Sequence, residues 1–120
     1  MKNISFILLA ALLVSQTVVQ SQVLDIVGPL TKTAFGCLAS QGYHVAIVRA
    51  YSLNNGGSID PNAVQTLVNA KSAGFIPFIY INLCRNGDAA SQINTVLSSI
   101  SSSLYRGKWI KVQQNTVAGC

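Results

Sequence analysis

The chain is 120 residues long with a formal net charge of +5; half of its residues are apolar and only 9% are charged. That length admits one small domain with a modest core. It contains no Glu, so any chemistry that needs carboxylates has only Asp25, Asp60 and Asp88 to draw on. The cations are scattered apart from Arg106, Lys108 and Lys111, and no nucleic-acid-binding motif accompanies them, so nucleic acid is not an expected partner.

Lys2 precedes an uncharged apolar run, Ile4 to Val14, which gives way to small and polar residues up to Ser21. This is the pattern of a secretory signal. A membrane span needs roughly 20 apolar residues, and Gln16 and Gln20 interrupt this one, so stable membrane insertion is not expected. Residues 1–21 are therefore read as a leader and residues 22–120 as the folded domain. The expected location is outside the cell, or the lumen of a lysosome or phagosome. Loss of Lys2 leaves seven cations against three Asp in the mature chain, or +4.

Val23 to Val27 reads as a short strand broken by Asp25, and Gly28-Pro29 turns the chain. Thr31 can cap a helix with Ala34, Phe35 and Leu38 on one face, stopped by Gly42. Tyr43 to Ala50 is nearly continuous apolar and β-branched, as expected of a strand buried on both faces. Asn54 to Gly57 is a loop. Asp60-Pro61 then supplies an N-cap and a first-turn proline for a second helix with a buried stripe of Ala63, Val64, Leu67 and Val68. Phe75 to Ile81 is a third strand, in which Pro77 removes one ladder donor. Asp88 caps a third helix, whose apolar period runs through Ala89, Ile93, Val96, Leu97, Ile100 and Leu104 despite five serines between Ser98 and Ser103. Trp109 to Val112 is the fourth strand. The order βαβαβαβ implies an α/β fold of four parallel strands and three helices with right-handed crossovers.

In such folds the site gathers at the carboxyl ends of the strands. Those ends present Asp25, Arg49 with Tyr51, Asn82 to Arg85, and Lys111 with Gln113. Lys111 and Gln113 alternate along the last strand and would share a face. Three cysteines remain, Cys37, Cys84 and Cys120. An oxidising lumen would close one pair and leave one over, and the sequence does not say which. His44 is the sole His and no metal spacing occurs, so neither a metal nor a cofactor is implied.

The chain resembles glycoside hydrolase family 25, the Chalaropsis-type lysozymes, in its short secreted eukaryotic branch. The residues that carry the likeness are Leu24-Asp25-Ile26 with Gly28-Pro29, Phe35-Gly36-Cys37-Leu38, Gly42-Tyr43 and Ile47 to Tyr51. It continues through Gly57-Ser58-Ile59-Asp60, Asn62 to Gln65, Asn69 to Gly74, Cys84 and Trp109-Ile110. The resemblance implies an eight-stranded β/α barrel that cleaves the muramic acid linkage of bacterial peptidoglycan, with an Asp at the end of the first strand, matched by Asp25. It also implies an Asp-x-Glu motif on the fourth strand, whose Glu is the general acid. This sequence departs at both places: Lys111 stands where the Asp would be and Gln113 where the Glu would be.

Glycosidic cleavage uses one carboxylic acid to protonate the leaving oxygen and a second carboxylate to stabilise or attack the oxocarbenium-like centre. An amide has no proton to give near neutral pH, and an ammonium opposes a cationic transition state. General acid catalysis is typically worth ~10²–10⁴ in rate, so the expectation is a lysozyme relative without catalysis. Asp25, Arg49 and Tyr51 would be its residual saccharide contacts and bacterial peptidoglycan or a related glycan its partner. The competing expectations are an active muramidase with its acid relocated to Asp88, a cationic antimicrobial protein acting without chemistry, and a truncated product without function. The resemblance ends after the fourth strand, so the fold expected is a partial (β/α) barrel, about half of a TIM-type barrel. Its bare sheet face would invite pairing with a second copy.

Overall fold

A computed structural model describes residues 22–112 and Cys120. The expected leader, residues 1–21, and Gln113 lie outside the described residues.

Strand β1 (Gln22–Ile26) pairs in parallel with β2 (Tyr43–Ser52), β2 with β4 (Ile76–Leu83), and β4 with β5 (Gly107–Val112). Helices α1 (Lys32–Ser40), α2 (Ala63–Ser72) and α3 (Ala89–Ser99) connect them. The spatial order β1-β2-β4-β5 follows the chain, so the sheet is the α/β arrangement expected: half of a β/α barrel, which does not close among the described residues. The sequence reading missed one short strand, β3 (Ser58–Ile59), which pairs antiparallel with Tyr51 and Ser52 of β2. A two-residue strand has no periodicity to detect.

The three helices pack on one face of the sheet. There Ala46, Val48, Ala50, Ile79 and Ile81 are fully buried with Phe35, Leu67 and Val96. Phe35 and Phe75 meet edge-on at 5.0 Å between ring centroids. Among the described residues the opposite face has no second layer, and Val45, Ile47 and Arg49 of β2 are only half-buried. The expectation that β2 is buried on both faces is corrected on this point. Its apolar run suits a closed barrel, and the half that is present covers one side only.

Two caps form as expected. Thr31 Oγ1 accepts from the Ala34 N–H at 3.1 Å, and Asp88 Oδ2 accepts from the Ser91 N–H at 2.9 Å. The second helix departs from its expected form. It begins at Ala63 with Asn62 as N-cap, and its buried face is Ala63, Thr66, Leu67 and Ala70, while Val64 and Val68 are exposed. Placing the cap at Asp60 set the helix two residues early, and the apolar valines misled because a buried position can be held by a small or hydroxyl residue. Asp60 is instead a buried ion-pair partner. The third helix stops at Ser99, not at Leu104: Ile100 is extended (φ −118°, ψ 119°) and Ser102–Leu104 form a 3-10 turn, with the Ser101 hydroxyl accepting from Ser103 N–H. Clustered serines offer their own hydrogen bonds to the backbone and so end helices. Ile100 still reaches the core, at 1% exposure.

Candidate functional site

Register fixes which side chains share the uncovered face of the sheet. Asp25 aligns with Ile47, Ile47 with Phe78, and Phe78 with Gly107. One step toward the carboxyl ends, Arg49 aligns with Tyr80 and Tyr80 with Trp109; beyond them Asn82 aligns with Lys111. Alternate residues of a strand share a face. Asp25, Arg49, Tyr80, Asn82, Trp109 and Lys111 therefore stand together on the face that would line a barrel.

Arg49 is held rather than free. Its Nε and Nη2 donate to Asp60 Oδ2 at 2.8 and 2.7 Å, and the other carboxylate oxygen of Asp60 accepts from the Asn62 N–H at 2.9 Å. Asp60 is 2% exposed, and the guanidinium and the amide supply the partners that a buried carboxylate needs. The pair ties the end of β2 to the start of α2.

Tyr51 lies elsewhere. A register shift between Arg49 and Tyr51 sets Tyr51 opposite Ile81 and, across the antiparallel edge, opposite Ile59. The ring joins the helix-side core. Its hydroxyl lies where a side chain on Gly57 would be, and Gly57 itself is at φ +101°, so that loop position requires glycine.

Tyr80 escaped the sequence reading, although the alternation Phe78, Tyr80, Asn82 along β4 was the available signal. Burial, with the carboxylate of Asp25 and more weakly that of Asp60, pushes its phenol above the ordinary value, and Arg49 partly offsets this. Tyr80 thus sits within electrostatic reach of both carboxylates and the guanidinium. The ammonium of Lys111 stands 5.6 Å from its ring centroid, a cation–π placement. Beside it, Asn82 Oδ1 is buried without a hydrogen-bond partner among the described residues.

The rim is braced by Gln92, also unforeseen. Its Oε1 accepts from Cys84 N–H at 2.7 Å and its Nε2 donates to Cys84 O at 3.0 Å, clamping the end of β4 to α3. Cys84 pairs with Cys120, which answers the open question of disulfide pairing and leaves Cys37 as an exposed free thiol. Asp88 spends its carboxylate on the helix cap. Among the described residues no three His, Cys, Asp or Glu gather to hold a metal, and no helix is long and apolar enough to cross a membrane. A cleft of about 250 Å³ between Lys71, Pro77 and Arg106 opens at the amino end of β4, away from these groups.

Chemically, the uncovered face offers one exposed carboxylate (Asp25), one ammonium (Lys111), a phenol, an amide and a neutralised Arg49–Asp60 pair. This suits hydrogen bonding to a polyhydroxylated ligand. Among the described residues this face carries a single exposed carboxylate, where most glycosidases use a pair.

The family model described as lysozyme-like protein 1 matches residues 16–118. The chain is 32% identical over 93 residues to a Dictyostelium discoideum protein named "Probable GH family 25 lysozyme 2", covering 74% of this chain and 43% of that one. It is 30% identical over 97 residues to the Caenorhabditis elegans "Lysozyme-like protein 5", covering 76% of this chain and 44% of that protein. The chain thus spans less than half the length of these curated relatives. No solved structure matches.

Proposed function

From the premise that the chain belongs to the lysozyme-like protein family, of glycoside hydrolase family 25 type, we propose that it is a secreted wall-binding protein. It recognises bacterial peptidoglycan or a related glycan without cleaving it. The observation that carries this reading is the acid inventory of the uncovered face. Asp25 is the one exposed carboxylate there; Asp60 is committed to Arg49 and Asp88 to the start of α3. Where the fourth strand would deliver a carboxylate beside Asn82, it delivers Lys111, and Gln113 follows two residues later in the sequence.

A sugar at the carboxyl ends of these strands would meet the hydrogen-bonding groups of Asp25, Asn82 and Lys111. Its glycosidic oxygen would meet no proton donor of suitable acidity. The ammonium of Lys111 disfavours positive charge at the anomeric carbon, and the loss of a general acid alone removes about 10²–10⁴ in rate. Binding survives such a loss because it draws on contacts equal in ground and transition states. The leader-like residues 1–21 support secretion or delivery to a lumen where bacterial wall fragments are met.

Sedimentation with insoluble peptidoglycan tests the reading. The protein is expected to co-sediment saturably, and Asp25→Ala to weaken retention by about tenfold, as loss of a hydrogen bond to a charged group does. Unchanged retention of Asp25→Ala would remove the site from this face.

A further inference from the structure

We propose that the chain acts as a two-fold dimer, in which two half barrels close into one eight-stranded parallel barrel with β5 of each copy paired to the partner's β1. Among the described residues β1 is hydrogen-bonded only to β2 and β5 only to β4, so both edges of the sheet are open. β5 is exposed along almost its whole length, an arrangement that monomeric proteins avoid. On the uncovered face the two edges carry matching pairs: Val23 and Asp25 on β1, and Trp109 and Lys111 on β5, all exposed. In each pair the apolar residue precedes the charged one by two positions, and the charges are opposite. Asp25 and Lys111 form no ion pair within their own copy among the described residues.

The register of the sheet turns this likeness into geometry. Across the four strands Asp25 is level with Gly107, with no net offset. If Lys111 pairs with the partner's Asp25, each seam adds an offset of four residues, the distance from Gly107 to Lys111. Two seams then give a total of eight. Closed parallel barrels of eight strands have a shear of about eight residues, so the seam that matches the charges is also the seam that closes a barrel. In that register Lys108 to Val112 covers Gln22 to Ile26, the whole of β1. Trp109 faces the partner's Val23, Ile110 the partner's Leu24, and Val112 the partner's Ile26. Four of the five cross-strand pairs set apolar against apolar or charge against opposite charge, the pairings that stabilise a ladder, and the fifth sets Lys108 beside the partner's Gln22. A two-fold axis along the barrel makes both seams identical and leaves no edge over.

The partner also completes the site. Lys111 of one copy stands beside the partner's Asp25 at the carboxyl ends of the strands, so each seam holds an ion pair on the rim of the shared cavity. The proposal rests on the fold alone and not on glycan binding.

Sedimentation equilibrium of the full chain, produced in a eukaryotic secretion host and free of glycan, tests it. The expected mass at about 10 µM is that of two chains. Lys111→Asp and Asp25→Lys should each weaken the dimer by at least about tenfold, since like charges then face each other at both seams. The two combined should restore affinity to within about threefold, and this exchange variant decides the outcome if a single reversal fails to fold. Trp109 emission should shift to the red on dilution of the unmodified dimer. A single-chain mass at about 100 µM, open-ended oligomers, or a dimer indifferent to both reversals would overturn the proposal, as would an exchange variant that stays monomeric.

Discussion

The phenol of Tyr80 is placed by the strand pattern beside groups that resist its ionisation. Its proton is therefore bound more tightly in the folded chain than in the unfolded one, where it titrates near 10. The sign of the effect on stability follows. Below about pH 10 both states hold the proton and the group contributes no slope; above it the unfolded state releases its proton first and stability falls as pH rises through the higher folded value. Urea unfolding at pH 8 and pH 11 should show a smaller alkaline loss for Tyr80→Phe than for the parent chain, and an equal loss would contradict the placement. The charge of Arg49 is spent on Asp60. That leaves Lys111 and Asp25 as the charges this face can offer a ligand or a second copy.

At the scale of elements, α2 shows what packing decides and what composition does not. Leu67 is fully buried against the sheet, and Val64, one turn earlier, is 42% exposed. Leu67→Ala should cost about 2–5 kcal/mol through lost burial and the cavity left behind. Val64→Ala should stay within about 0.5 kcal/mol. Both are measurable by denaturant unfolding. The valine was legible as apolar but not as outward-facing, since Thr66 and Ala70 supply the buried turn positions without looking like core residues. The strand order, the Thr31 and Asp88 caps and the parallel sheet were legible because each rests on local spacing. The bulge that turns Tyr51 into the core, the Arg49–Asp60 pair and the Gln92 clamp were not, because each depends on where a distant segment lies. The last of these joins Cys84, just past the end of β4, to Gln92 on α3, which no single-strand or single-helix period connects.

On the scale of the whole molecule, a disulfide fastens the carboxyl-end rim of the sheet. Cys84 and Cys120 are 36 residues apart in sequence and bury with Leu53 at the carboxyl ends of β2 and β4. Closing a loop of that size stabilises by about 3–4 kcal/mol on chain-entropy grounds. Cys120→Ser should therefore lower the unfolding free energy by roughly that amount, read against the parent in urea without reductant; no change would mean that the bridge does not form in the folded protein. The family to which the chain belongs is named for lysis, yet the uncovered face retains one exposed carboxylate and places an ammonium on the fourth strand. The most direct measurement is release of reducing ends from purified bacterial peptidoglycan by the unmodified protein, from acidic to neutral pH, with co-sedimentation recorded in the same samples. The account predicts retention on the wall and release no greater than buffer. Release above buffer that is lost in Asp25→Ala would contradict it and show that an acid still operates on this face.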